Sequence, residues 1–315
     1  MAKLYAIGEA LIDFIPHTKG VALKHVGSFE TQVGGAPANV ASCVAKLGKS
    51  STLLTQLGND AFGDLIVDTL NEAGVDTSYI QITDEANTGL AFVSLTEDGE
   101  RDFAFYRKPS ADMLMDGVDV TFKSDDILHF CSVDLIPSPM KETHIKVIDQ
   151  MHAAGGTVIF DPNLRFPLWP SEDELKSTVL EFLPLAHIVK ISDEELAFIT
   201  GSTDTASIQD LFTGHTEVVI YTEGANGASV YTKDGCIARH DGYKVEVQDT
   251  TGAGDAFIGA TIYQLLGNDA TEYLQQEAQA ILTFSNAVGA LTTTKKGAIQ
   301  SLPDMTMIQQ LKEEK

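Results

Sequence analysis

Short apolar runs recur from one end of the chain to the other, separated by stretches with helical spacing. Leu4–Ile7, Thr52–Thr55, Ile127–Phe130, Thr157–Phe160, His187–Ile191 and Val218–Tyr221 are rich in β-branched and aromatic residues, with Gly, Asp or Pro close by. Such runs predict buried strands. Between them, Pro37–Leu47 carries proline in its first turn and Gly48 just past its end. Ala61–Ala73 runs into Gly74, and Met140–Ala154 into Gly155-Gly156. These are helix start and stop signals. Strand and helix in alternation predict an α/β fold, a mostly parallel sheet with helices on both faces.

Two segments break the alternation. Gly89–Leu95 and Arg101–Tyr106 are separated by Thr96-Glu97-Asp98-Gly99-Glu100, and Asp-Gly is a hairpin signal. No helix fits beside them. Phe14–Val33 is likewise too short and Gly-rich for a helix but holds a strand or two. A small β-rich excursion is expected from residues 14–33 and 88–113, either a lid over a cleft or an edge hairpin. With no repeat or long linker, residues 1–315 read as one domain carrying this excursion.

The 315 residues include 21 Lys+Arg and 45 Asp+Glu, a formal net charge of −24, with 43% hydrophobic residues. That composition supports a packed core. The acid surplus argues against nonspecific nucleic-acid or anionic-membrane binding, because there is no basic field. Any polyanionic ligand must then be captured locally. No stretch reaches the ~20 apolar residues of a membrane span. Met1–Glu9 lacks a signal-peptide core. Cys43, Cys131 and Cys236 lie far apart with no CxxC, against a disulfide framework or a cysteine zinc site. A cytoplasmic location is expected.

The most informative stretch is Gln248-Asp249-Thr250-Thr251-Gly252-Ala253-Gly254-Asp255-Ala256-Phe257. Tyr243–Val247 before it alternates like a half-buried strand, and Ala256–Leu266 after it reads as an apolar helix. A Gly-rich turn entering a helix N-terminus favours an anion. Neither the Walker lysine nor a dinucleotide third glycine is present. Asp255 has two readings. It is an ordinary first-turn acid, or it is the base that phosphoryl transfer to an alcohol needs beside an oxyanion site.

Asp249–Phe257 resembles the C-terminal signature of the ribokinase-like (PfkB-type) carbohydrate kinases. Gly8-Glu9-Ala10-Leu11-Ile12-Asp13 resembles that family's first strand and sugar-binding Asp. Gly34-Gly35-Ala36-Pro37-Ala38-Asn39-Val40-Ala41 resembles its di-Gly signature, and Thr222–Ala228 its nucleotide-phosphate turn. The motifs stand in family order over residues ~4 to 300. The resemblance implies a ribokinase-like fold with a β-rich lid, and ATP-dependent phosphorylation of a sugar primary hydroxyl.

By resemblance, Asp255 is the general base, and the amides of Gly252, Ala253 and Gly254 are the anion hole. Asp13, Gly34, Gly35 and Asn39 would form the sugar floor. Lys190, Thr222, Glu223, Gly224 and Gly227 would contact ATP phosphates. Asn286, on a helix expected over Gln275–Leu291, would lie at the adenine pocket. Lys190–Glu195 aligns with an Asn-x-x-Glu element in which Ser192 replaces Asn. Glu195 is then a Mg²⁺-shell candidate through water, or simply closes a capping box with Ser192. Asp249 and Thr251 match positions beside a monovalent cation, for which K⁺ suits oxygen ligands. A homodimer through the lid is expected, with Phe92, Phe103 and Phe105 at its apolar side unless these line the cleft.

Phe105–Asp112 and Phe160–Arg165 resemble the fructokinase and 2-keto-3-deoxygluconate kinase branch more than ribokinase. Arg107 and Arg165 would clamp a substrate carboxylate, pair with lid acids, hydrogen-bond a neutral ketose, or reach ATP. The expected reaction is fructose to fructose 6-phosphate, with the ketodeoxy acid as the alternative. A non-catalytic sugar sensor is the reading from another class, disfavoured because Asp255 and its turn are intact.

Overall fold

A computed structural model describes residues 1–18, 20–95 and 101–313. Its strands are β1 (Leu4–Ile7), β2 (Leu11–Pro16), β3 (Phe29–Gly34), β4 (Ser51–Gly58), β5 (Ile80–Thr83), β6 (Gly89–Leu95) and β7 (Arg101–Tyr106). They continue with β8 (Ile127–Cys131), β9 (Thr157–Asp161), β10 (Ile188–Ser192), β11 (Val218–Thr222), β12 (Ala228–Thr232) and β13 (Gly235–His240). The helices are α1 (Ala36–Lys46), α2 (Ala61–Glu72), α3 (Pro139–Ala154), α4 (Glu172–Phe182) and α5 (Asp193–Thr200). After them come α6 (Ala253–Leu265), α7 (Ala270–Gln276), α8 (Ala278–Thr292) and α9 (Met305–Glu313). Among the described residues, no helix is long and apolar enough to cross a membrane.

The main sheet runs β13-β12-β11-β10-β9-β8-β1-β4-β5. From β11 to β5 all neighbours pair in parallel, and β12 and β13 add an antiparallel edge. Side chains alternate between the two faces, as strand geometry demands. Leu128, Phe130, Val158, Phe160, Val189 and Ile191 pack beneath α3, α4 and α5. Leu4, Ile127, Ile159 and Ile188 pack against α1, α6 and α8 on the other side. Phe130 stacks on Phe160 with centroids 4.6 Å apart. Each side chain so buried contributes about 1.5–3 kcal/mol, which fixes register because a one-residue slip would expose the whole set.

The second sheet, β3-β2-β6-β7, is the β-rich excursion, built from two separated pieces of chain. The hairpin turn expected at 96–100 and the side chain of Phe103 lie outside the described residues. One face of this sheet presents Asp13, Val93 and Phe105 to a cleft. The other stacks Phe14 on Phe92 at 4.5 Å, with Phe29 and Phe62 edge-on to Phe14.

Three expectations are corrected. Tyr243–Val247 joins no sheet, because Tyr243 packs into the cluster of Leu47, Ala256 and Phe284. The backbone just beyond it is tied to helix α8, where Gln248 N–H donates to Thr293 O at 2.8 Å. The single helix expected over Gln275–Leu291 is two, interrupted at Glu277, with Asp269 capping the first. Both Leu274 and Ile281 reach the same core cluster, which the kink allows. Helix α6 starts at Ala253 rather than Ala256, so Gly254 and Asp255 belong to its first turn.

Helices α1 and α6 meet at Gly259, where a Cβ would stand 2.7 Å from Cys43 Cβ. Gly259→Val is therefore expected to lose about 1–3 kcal/mol by overpacking. Urea unfolding with an unchanged slope and a lowered midpoint would register this; an unshifted midpoint would contradict it.

Candidate active site

The carboxyl ends of the parallel strands converge with the head of α6, the place where open α/β sheets bind ligands. Gly252 is the N-cap of α6 at φ 73°. A Cβ there would lie 2.6 Å from Ala298 Cβ, so both conformation and space require glycine. Among the described residues, the amides of Gly254 and Asp255 have no backbone acceptor, as expected in a first turn. The Ala253 amide differs, donating to Thr250 O at 3.3 Å.

Asp255 is 8% exposed and held from two sides. Asn39 Nδ2 of α1 donates to its Oδ2 at 2.8 Å, and Asn163 Nδ2, just after β9, donates to its Oδ1 at 3.2 Å. Asn163 sits at φ 46°, a left-handed conformation that Asn tolerates better than most side chains. Burial pushes the Asp255 carboxyl above its ordinary range, while Asn39, Arg165, Lys190 and Asn163 pull it back. The result is a carboxylate made more basic without losing its hydrogen bonds.

A cleft opens on one side of this group, lined by Glu9, Asp13, Gly35, Asn39 and Arg165, with Thr251 and Gly252 at its edge. Gly34 is glycine because the Asp13 carboxylate fills its place, a Cβ falling 2.2 Å from Oδ2. Phe105 lines this cleft, whereas Phe92 faces away into the aromatic stack. Arg107 does not join Arg165 there. It is buried and ion-paired with Asp112 and Asp134, which take the charge a substrate carboxylate would need.

On the other side of the turn lies a cavity of about 540 Å³, lined by Thr222, Gly224, Gly227, Asn286, Ala253 and Gly254 among others. Asn286 turns its Nδ2 back to Leu282 O at 3.0 Å. Glu223 does not line this cavity and instead pairs with Arg239 at 3.0 Å. Lys190 lies beneath the turn, where a Cβ on Gly254 would meet its Nζ at 3.6 Å, and pairs with Asp161 at 3.1 Å. Burial works against the Lys190 charge, but Asp161, Glu195 and Asp255 outweigh it and hold the ammonium above its usual range.

Ser192 and Glu195 form the capping box of α5. Glu195 Oε2 accepts from Ser192 N–H at 2.8 Å and Oε1 from Leu164 N–H at 3.2 Å. Asp249 ties two loops together: Oδ1 accepts from the Thr251 amide and hydroxyl, and Oδ2 from Gly297 N–H at 3.0 Å.

Sequence reasoning did not single out Asn163, Asp161 or Glu9. Asp161 and Glu9 are both pushed up to about 7 by burial, against the pull of Lys190 and Arg107 respectively. Glu9 Oε1 accepts from Ala36 N–H at 3.0 Å, at the start of α1. Their linear signal was a place within the Gly8–Asp13 and Phe160–Arg165 runs, just after predicted strands.

Residues 1–305 match the model of the pfkB family of carbohydrate kinases. Fructokinase-2 of Oryza sativa subsp. japonica is 40% identical over 313 residues, 97% of this chain and 92% of that protein. Among solved structures, fructokinase with bound ATP from Xylella fastidiosa has a TM-score of 0.87 at 35% identity, covering 99% of this chain and 98% of that one. A fructokinase double mutant from Vibrio cholerae O395, in fructose, ADP and potassium ion bound form, has 0.88 at 35% identity with the same coverage. A putative Ribokinase II from E. coli, in complex with ATP and Mg²⁺, has 0.87 at 29% identity and covers both chains fully. The fold is ribokinase-like, and the chain belongs to the pfkB family of carbohydrate kinases.

Proposed function

We propose that this chain transfers the γ-phosphoryl group of ATP to the primary hydroxyl of fructose, giving fructose 6-phosphate and ADP. One observation carries the reading. The 250–254 turn separates two cavities, and Asp255 stands at the divide: Thr251, Gly252 and Asp255 line one side, Thr250, Ala253 and Gly254 the other. An alcohol on the first side and a nucleotide on the second would meet at the positive end of α6.

Asp255 takes the hydroxyl proton as the oxygen bonds to phosphorus and the bond to the bridging oxygen of ADP breaks. The Gly252 and Gly254 region, with α6 behind it, stabilises the transferring group. Ala253 contributes its position more than its amide. Asp13, Gly35 and Asn39 orient the sugar, with Gly34 making room for Asp13. Thr222, Gly224, Gly227 and Asn286 hold the nucleotide, and Lys190 adds positive charge beneath the turn. Glu223 acts by fixing the strand edge through Arg239.

Mg²⁺ accompanies the nucleotide and would neutralise phosphate charge. Both Glu195 oxygens already accept backbone N–H bonds and Asp161 faces Lys190, so this chain suits contact with the ion through water. A K⁺ ion suits the carbonyl-rich loops that Asp249 ties together near Thr251. The small sheet serves as the lid that excludes water. Its outer aromatic face, where Tyr106 is 67% exposed beside Phe92, supports a homodimer formed through the lid. Because Arg107 is committed to two carboxylates, the cleft keeps one arginine among the described residues, Arg165, and a neutral ketose fits better than a sugar acid.

The proposal is tested by ATP consumption with fructose, 2-keto-3-deoxygluconate and ribose in parallel, with Mg²⁺ and K⁺ present. Fructose is expected to give the highest kcat/KM, and a preference for the ketodeoxy acid would overturn the substrate. Asp255→Asn is expected to bind sugar and ATP while kcat falls ~10²–10⁴-fold; near-normal turnover would refute the base. Asp255 works only when ionised, so activity is lost as pH falls through its raised pKa. The acid limb of kcat/KM should lie above the range of an ordinary aspartate. Asn163→Ala removes a donor to the charged form and should move that limb to higher pH; an unmoved limb would count against this wiring.

A further inference from the structure

At the amino ends of the parallel strands, opposite the cleft, three histidines far apart in sequence come together. We propose that His152, His187 and His215 bind one transition-metal ion of the zinc class, with water in the fourth position. One ring nitrogen from each residue lies within 4.8 Å of the others. The ring centroids are 5.2, 4.5 and 5.4 Å apart. Three imidazoles on a tetrahedral ion, with Zn–N about 2.0–2.1 Å, place their ring centres about 5 Å apart. The rings therefore already stand at the required spacing. The rings must still turn to bring their nitrogens from within 4.8 Å of one another to ligand distance.

The scaffold beneath each ring is tied down. His152 lies in the last turn of α3, before the left-handed Gly155. His187 leads into β10, and its backbone N–H donates to Val158 O at 2.9 Å. His215 N–H donates to Pro184 O at 2.8 Å, while Gly214 presses so closely on Pro184 that a Cβ would lie 2.3 Å from that oxygen. Ligands on pinned segments bind with little ordering cost.

Hydrogen bonds decide which nitrogens are free. His152 Nε2 lies 2.9 Å from Leu185 O, so this nitrogen carries the proton and Nδ1 keeps its lone pair. A ligand imidazole anchored through its other N–H to a backbone carbonyl is the usual support of a metal site. His215 is exposed and free to turn either nitrogen inward. His187 Nδ1 accepts from Val158 N–H at 3.0 Å, which puts its proton on Nε2. To ligate through Nε2 the ring must exchange that proton to Nδ1 and release the Val158 amide. The buried Val158 amide then loses its acceptor, a penalty that coordination by three imidazoles has to outweigh. Asp149 and Asp269 act electrostatically on His152 and His187, favouring a cation.

A five-residue strand such as β10 spans roughly 16 Å, so the site is remote from Asp255 and independent of the proposed reaction. Zn²⁺ is titrated calorimetrically into chelator-treated full-length protein, with Co²⁺ absorption as a second readout. The wild type is expected to take one Zn²⁺ with a micromolar or lower Kd and a raised Tm. With Co²⁺ it should show the intense visible bands of a tetrahedral ion. His215→Ala, an exposed substitution, should bind at least tenfold more weakly while keeping its metal-free Tm and its kinase turnover. His152→Ala should weaken binding likewise. No binding by the wild type, equal binding by both variants, or a weak octahedral Co²⁺ spectrum would each overturn the proposal.

Discussion

A carboxylate carried into a protein interior must be hydrogen-bonded or neutralised, and at Asp255 that demand draws the whole centre of the molecule together. Its two amide donors come from α1 and from the loop after β9, while Lys190 and Arg165 supply positive charge at a distance. Helix α1 can deliver Asn39 because Gly259 and Cys43 let it lie close against α6. The loop after β9 can deliver Asn163 because that residue accepts a left-handed turn. The main sheet, two helices and a strained loop thus answer to one buried group.

The 250–254 turn adds the second constraint. It must enter a helix, separate two cavities and bring backbone close to phosphate, all within five residues. Glycine at 252 meets the first need by conformation, and glycine at 254 leaves open the approach to Lys190. Asp249 then holds the turn from outside by gripping Thr251 and Gly297 together. Beneath it Lys190 is held charged by Asp161, Glu195 and Asp255, which keeps one buried ammonium next to the turn in an otherwise acidic chain.

Arg107 illustrates how the lid is joined to the body. It directly follows β7 yet its guanidinium is buried between Asp112, at the end of the excursion, and Asp134, in the loop after β8 of the main sheet. Breaking a buried pair of this kind leaves an uncompensated charge, so the connection is a rigid one. The cleft face of the small sheet is therefore presented at a fixed root, with Asp13 and Phe105 aimed at the same space as Asp255.

The linear chain determined the parallel sheet, the helices on both faces, the β-rich excursion and the identity of the turn at 250–254. These rest on periodicity and on Gly, Pro and Asp chemistry, which act over a few residues. Asp255, Asp13 and Asn39 were singled out through compact motifs that resemble the family's, and the structure brings the three to one cleft. Tertiary structure alone decided the partners. Asn163 faces Asp255 across 92 residues, Arg107 turned from the cleft to Asp134, and Tyr243–Val247 exchanged a sheet for the end of α8. Three histidines with no motif among them met at the amino ends of the parallel strands. Contacts of that span depend on which buried charges find neutralising neighbours once layers pack, and local sequence carries no record of that outcome.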